Sequence, residues 1–302
     1  MLRQAENKCR IEGILSEINI DYKSFVKDGK TVEAIGGNIK VHTEQMINGE
    51  TKILEIPVQM FATKLTSKGT SNPAYESIER VMKEYSSIAA VGEEAADRIR
   101  ITNAQIQMNE YYAPNSDKLT SFPRINCSFV TKVKPSEYKP VATFEAEFVV
   151  ASKAYELDKE GNETGRYKIN AILPQYGGKV DVIPMYSVNE NVTNAISEYW
   201  NEGDTVKASG RLMFTSESKV VSTPVDFGEP EEKVVTVSVS DLLITGGSQE
   251  PLSGEYAFDT AEIQSALAER KVRLEGQKEK AASGTKSKAT PAATKAGLDL
   301  GF

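Results

Sequence analysis

The sequence predicts a mainly β protein: two consecutive five-stranded units, each with one helix between its third and fourth strands, then a C-terminal helix and a polar tail. Apolar and polar residues alternate with a period of two through most of residues 8–250, the pattern of half-buried strands. Within that span a helical period appears after the third strand of each unit. The same irregular order of elements therefore occurs twice in one chain, as a repeat of pattern rather than of sequence.

Residues 9–18 read as the first strand, and Lys27-Asp28-Gly29-Lys30 as the hairpin turn after it. An Asp-Gly pair between apolar runs tolerates the positive φ angles of a tight turn. Residues 32–41 are a second strand, with Gly36-Gly37 as a bend or bulge; Asn48-Gly49 is a further turn, and residues 53–61 are a third strand. Asn72-Pro73 opens a helix as cap and first helical residue, and Tyr75, Ile78, Val81, Met82 and Tyr85 make its apolar face. Residues 98–108 and 124–133 complete the first unit. The second has strands at 144–150, 167–173, 180–186, 205–214 and 234–239, a hairpin tip at 159–162 and a short helix over 192–200. Pro57 and Pro184 each follow an isoleucine in a third strand and imply an edge or the last ladder position, because proline lacks a donor. Phe61, Phe129, Phe144 and Phe148 are expected in the cores.

The expected units are residues 1–138 and 139–250, an amphipathic helix over 251–275 with Ile263, Ala266, Leu267 and Leu274 on one face, and a tail over 276–302. The tail is Lys, Ala, Ser, Thr, Gly and Pro without apolar periodicity, so it is expected to be disordered, ending in an apolar tip. Five strands with a helix between the third and fourth is the order of the OB fold, a partly open Greek-key barrel; another small barrel or sandwich is the alternative.

Composition narrows the chemistry. No run of about eighteen apolar residues exists to span a membrane, and the first residues lack a secretory apolar core, so the expected location is the cytoplasm. Net charge is −7, which argues against coating duplex DNA by bulk attraction but leaves room for a local binding groove. Cys9 and Cys127 lie within alternating runs and read as buried thiols; with His42 the sole histidine, no Cys/His metal cluster can assemble. His42 is expected exposed at a strand end. The acidic run Asp226, Glu229, Glu231 and Glu232 reads as a loop rather than a two-metal site. No phosphate-binding glycine loop and no nucleophile elbow occurs, so neither catalytic residues nor a cofactor nor a metal is expected.

What remains is a binding surface. OB folds hold single strands on their second and third strands, between the first-to-second and fourth-to-fifth loops, with bases on aromatics and phosphates near lysines. The first-unit candidates are Tyr22, Lys23, Phe25, Lys27, Lys40, Tyr111, Tyr112 and Arg124, with Phe122 beside the last. The second-unit candidates are Tyr155, Tyr167, Lys168, Tyr176, Lys179 and Phe214, with Lys219 and Phe227 at the last loop.

Two segments carry a resemblance. Arg10-Ile11-Glu12-Gly13-Ile14-Leu15-Ser16-Glu17 is similar to the first strand, and Gly203-Asp204-Thr205-Val206-Lys207-Ala208-Ser209-Gly210-Arg211-Leu212 to the fourth, of phage-encoded single-stranded DNA-binding proteins with two OB folds in one polypeptide. The resemblance covers roughly residues 8–245 and its motifs are loose. It implies sequence-tolerant binding and protection of single-stranded DNA during viral replication or recombination, with no enzymatic activity. It also implies a tail whose tip recruits replication or recombination proteins; Leu298, Asp299, Leu300 and Phe302 would form that tip. Here the chain departs from the pattern, since Asp299 is the lone acid of the tip and the tether is lysine-rich. The competing reading is a structural or adaptor protein of a virus particle or replisome.

Overall fold

The computed structural model describes residues 2–47, 49–223 and 231–282. The first half contains β1 (Asn7–Lys27), β2 (Lys30–Ile47), β3 (Glu50–Thr63), α1 (Pro73–Glu84), α2 (Ile88–Val91), β4 (Arg98–Tyr112), β5 (Leu119–Cys127) and β6 (Thr131–Lys132). The second contains β7 (Val141–Leu157), β8 (Glu163–Pro174), β9 (Val180–Ser187), α3 (Glu190–Tyr199), β10 (Thr205–Thr223), β11 (Glu231–Gly247) and α4 (Thr260–Ala282). All eleven described strands belong to one hydrogen-bonded sheet.

Its pairings close on themselves twice. β1 pairs with β2, β2 with β3, β3 with β5, β5 with β4, and β4 again with β1. β7, β8, β9, β11 and β10 repeat that cycle in the same order. The β3–β5 and β9–β11 contacts are the parallel ones in both cycles. Antiparallel pairing of Asn7–Glu12 with Val141–Ala146 joins the two rings.

Local chemistry accounts for the elements. Asp28 and Gly29 both take positive φ, 51° and 74°, closing the two-residue hairpin between Lys27 and Lys30. Gly49 occupies the next turn; Asn48 lies outside the described residues. Asn72 caps α1 by accepting from the Ala74 N–H at 3.1 Å, and α1 buries Ile78 and Val81. Asn189 caps α3 in the same way through Val192. Pro57 stands opposite Lys40 in the β2–β3 ladder, one residue before the β3–β5 pairing begins at Val58. The first ring has an aliphatic centre that includes Ile11, Leu15, Ile35, Ile56 and Ile99; the second has an aromatic one, where Phe144, Phe148 and Phe214 are enclosed and Trp200 stands edge-on to Phe148 at 5.9 Å while donating its indole N–H to the Ser248 carbonyl. Burying each such ring contributes roughly 1.5–3 kcal/mol. Cys9 and Cys127 are buried free thiols; burial raises both pKa values, that of Cys127 to about 12.

Several expectations need correction. Gly36 and Gly37 are not a bulge, since β1–β2 pairing runs through them without interruption; the irregularity falls between Leu15 and Glu17. The predicted strand 124–133 breaks after Cys127, and Phe129, expected in the core, is 60% exposed in the break. Phe61 likewise points outward, 44% exposed, because Leu54, Ile56, Val58, Met60 and Ala62 take the inward alternation of β3. His42 stands within β2, half-buried, with Nε2 3.1 Å from Glu55 Oε2. α4 runs on through Gly276 to Ala282, so residues 276–282 are helical and not a disordered tail. Asp226, Phe227 and Glu229, and the tip residues Leu298, Asp299, Leu300 and Phe302, lie outside the described residues.

The rings are tied by polar groups. Within the first ring Asn7 donates to the Ile106 carbonyl and accepts from the Ile106 N–H, at 2.8 and 2.9 Å, and Gln175 of the second ring donates to the same Ile106 carbonyl at 3.1 Å. Arg3 pairs with Glu147 through both terminal guanidinium nitrogens, Nη1 and Nη2. The Asp181 carboxylate accepts from the Met108 N–H and the Gln175 side chain, and its burial raises its pKa. α4 packs along β4 and β9, where Arg270 and Arg273 meet the enclosed Glu110. Beyond them the Asn115 N–H, in the β4–β5 turn, reaches the Ala281 carbonyl.

Candidate nucleic-acid interface

The most organised polar surface is the outer side of β3, β5 and β4. Strand alternation sends Ile56, Val58, Ile106 and Ile125 inward and leaves Gln59, Gln107, Asn109, Arg124 and Asn126 facing out. Register brings these five together: Gln59 is opposite Asn126, Asn126 opposite Gln105, and Arg124 opposite Gln107. Arg124 donates through Nη1 to Gln59 Oε1 and Asn109 Oδ1, both at 3.4 Å. Asn126 donates to Gln107 Oε1 at 2.8 Å. Arg124 Nε is enclosed and has no hydrogen-bond partner among the described residues. Burial lowers the Arg124 pKa, and the negative charge of Asp181 opposes that shift.

Aromatic rings bracket this cluster. Phe61 lies two residues past Gln59 on β3, with Phe25 of β1 packed against it at 6.5 Å. Phe122, 41% exposed, lies two residues before Arg124 on β5, and Tyr111 is exposed on the adjoining β4. Because β3 and β5 run parallel, Phe61 and Phe122 stand at opposite ends of the cluster, six residues apart in register or roughly 20 Å. β10 lies against β3 and β11 against β5, so the second ring's long hairpin adjoins these strands.

The other candidates are dispersed. Tyr22 donates to Glu79 Oε1 at 2.6 Å and, with Lys23, lines a groove that also holds Glu33 and Glu76, a surface of mixed charge. Lys27 is exposed beside the hairpin turn. Lys40 faces outward on β2 between Glu17 and Glu55, at 2.9 and 3.2 Å; these carboxylates raise its pKa and neutralise its charge. Tyr112 points to the side opposite Tyr111 and is half-buried. In the second ring Lys168 pairs across the ladder with Tyr186, over whose ring Arg166 lies at 3.8 Å; Arg166 also bridges Glu156 and Asp241. Tyr176 is 84% exposed with Lys179 in the β8–β9 turn, and Tyr155 is exposed on β7. Two candidates are corrected. Phe214 is 1% exposed because its position on β10 faces inward, and Tyr167 is 7% exposed, covered edge-on by Tyr155 at 5.0 Å.

Sequence reasoning did not select Gln59, Gln107, Asn109 and Asn126, and it placed Phe61 inside. The period of two in β3 was sufficient to turn Gln59 and Phe61 outward together. The neighbourhood of β3 and β5, by contrast, depends on a parallel contact between strands distant in sequence. Among the described residues no group of His, Cys, Asp and Glu is gathered as metal ligands, and no described helix is long and apolar enough to cross a membrane.

A family model described as YorF matches residues 5–280. No match was found among curated proteins. Among solved structures, the fold is similar to the wild-type single-stranded DNA binding protein from Thermus aquaticus, at TM-score 0.50 and 10% identity, covering 83% of this chain and 96% of that one. A deletion mutant of the same Thermus aquaticus protein aligns at TM-score 0.49 and 10% identity, covering 83% and 97%.

Proposed function

We propose that this chain, which belongs to the YorF family, binds single-stranded DNA along the outer face of β3, β4 and β5, with the second ring extending the track, and carries out no catalysis. The observation that carries this reading is the bracketing of an outward amide and guanidinium cluster by exposed aromatics at both ends, on strands paired in the OB-fold cycle. On this reading each closed cycle is a five-stranded OB barrel, the first within residues 1–138 and the second within 139–250. The Thermus aquaticus protein is described as single-stranded DNA binding, and the likeness in fold supports the same ligand here. Two such units in one polypeptide fit a phage-type protein that protects single strands during replication or recombination. Absence of catalysis fits the two enclosed, protonated thiols and a histidine already engaged by Glu55.

Fluorescence anisotropy with a labelled oligothymidylate and a duplex of equal length, in EDTA, tests the reading. Single strands are expected to bind tighter, with log affinity falling against log salt by about 0.7 per phosphate contacted. Equal or tighter duplex binding overturns the proposal, and no binding to either favours an adaptor role through protein contacts.

A further inference from the structure

We propose that the seam between the rings is a phosphate-binding crossing, where Lys8 and Lys207 hold the sugar-phosphate backbone of a single strand as it passes from the first ring to the second. This rests on the reading of the β3, β4 and β5 face as a single-strand site. The register carries the argument. Gln59 is opposite Asn126, and Asn126 opposite Gln105. Pairing of Cys9 with Ala104 sets Lys8 beside Gln105. Lys8 is opposite Glu145, and Glu145 opposite Ser209. Val58, Ile125, Ala104, Cys9, Phe144 and Ala208 take the inward positions next to these residues, so the row itself faces outward. One row of outward side chains therefore crosses six hydrogen-bonded strands, β3, β5, β4, β1, β7 and β10, over roughly 24 Å.

The chemistry of the row changes at the seam. Glu6 gathers one lysine from each ring: its Oε1 meets Lys8 Nζ at 2.7 Å and its Oε2 meets Lys207 Nζ at 2.8 Å. Both lysine side chains are at least half exposed, 57% and 50%. Two cations on one carboxylate leave a net positive charge, whereas Lys40 and Arg166 each stand between two carboxylates. Hydrogen bonds from Lys207 and Lys8 hold the Glu6 carboxyl at about 2, so it stays ionised and keeps both ammonium groups in place. Arg10, exposed two residues beyond Lys8 on the same side of β1, adds a cation, and Glu145 is the opposing acid of the row. The seam thus has three cations against two carboxylates in a chain of net charge −7. A groove lined by Glu6, Lys8 and Gln105 connects this cluster to the amide face, and none of its lining residues is aromatic. Ammonium groups without a stacking ring suit phosphate oxygens rather than bases.

Anisotropy titrations of the full chain with an oligothymidylate of about 30 nucleotides, long enough for both rings, test this over a series of salt concentrations. In the Lys8→Gln, Lys207→Gln double variant the slope of log affinity against log salt is expected to flatten by about 1.4, two contacts at about 0.7 each, and affinity near 0.1 M salt to fall roughly tenfold. Glu6→Gln removes the carboxylate that competes with phosphate for both lysines. It is expected to tighten binding about threefold without flattening the slope. Exposed ion pairs contribute little to stability, so thermal melts of both variants should stay near the parent. A double variant with the parent's slope overturns the inference, whether its affinity holds or falls, because a merely structural role removes no ionic contact. Glu6→Gln binding no tighter than the parent also overturns it. Either result leaves single-strand binding by the β3, β4 and β5 face standing, whereas failure of the parent to bind overturns the underlying reading of that face.

Discussion

Replacing Phe61 and Phe122 together by alanine is expected to weaken single-strand binding on the order of 100-fold. Stacking a base on an aromatic ring contributes about 1–3 kcal/mol by alanine substitution, and the two rings stand at opposite ends of the cluster, so their contributions should nearly add. Both side chains are substantially exposed, so the melting temperature should scarcely change. Phe144→Ala provides the contrast: that ring is enclosed, and its loss is expected to cost about 3–5 kcal/mol of stability. Titration of the double variant beside a thermal melt separates the effects. A loss below about threefold would mean that the strand lies elsewhere.

Gly37→Ala is expected to destabilise the first ring by about 3 kcal/mol. A Cβ at Gly37 would lie 1.8 Å from the Asn19 carbonyl oxygen and 2.8 Å from Ile20 Cα, both backbone atoms of the paired β1. No rotamer change relieves such a contact; the ladder itself must open. Urea unfolding of the variant gives the cost directly, and stability equal to the parent would show that the two strands approach less closely than described.

Gly37 also marks what the sequence makes legible. A glycine pair inside an apolar run signals that side chains are excluded, but it does not distinguish a bulge from a close crossing of paired strands. Local signals were readable where the causes were local. Asp28-Gly29 closes its hairpin, and Asn72-Pro73 starts α1, through contacts within a few residues. The order of elements followed from periodicity. The inward or outward sense of single aromatics was less secure. Phe61 and Phe214 are both strand phenylalanines, and only alternation against buried neighbours sends one out and the other in. The Arg124 cluster was largely hidden, because its members come from three strands and meet through the parallel β3–β5 contact. α4 was cut short at Gly276 because glycine weakens an isolated helix, whereas here the helix packs along β4 and β9 and carries Arg270 and Arg273 to Glu110.

Photocrosslinking tests the central claim, that single strands lie across β3, β4 and β5, most directly. A single strand substituted with 5-bromodeoxyuridine, irradiated on the full chain and followed by peptide mass spectrometry, is predicted to attach to peptides carrying Phe61, Tyr111 and Phe122. These adducts should vanish when excess unlabelled oligothymidylate competes. Competable adducts confined to peptides away from this face, such as the turn carrying Tyr176, would contradict the assignment.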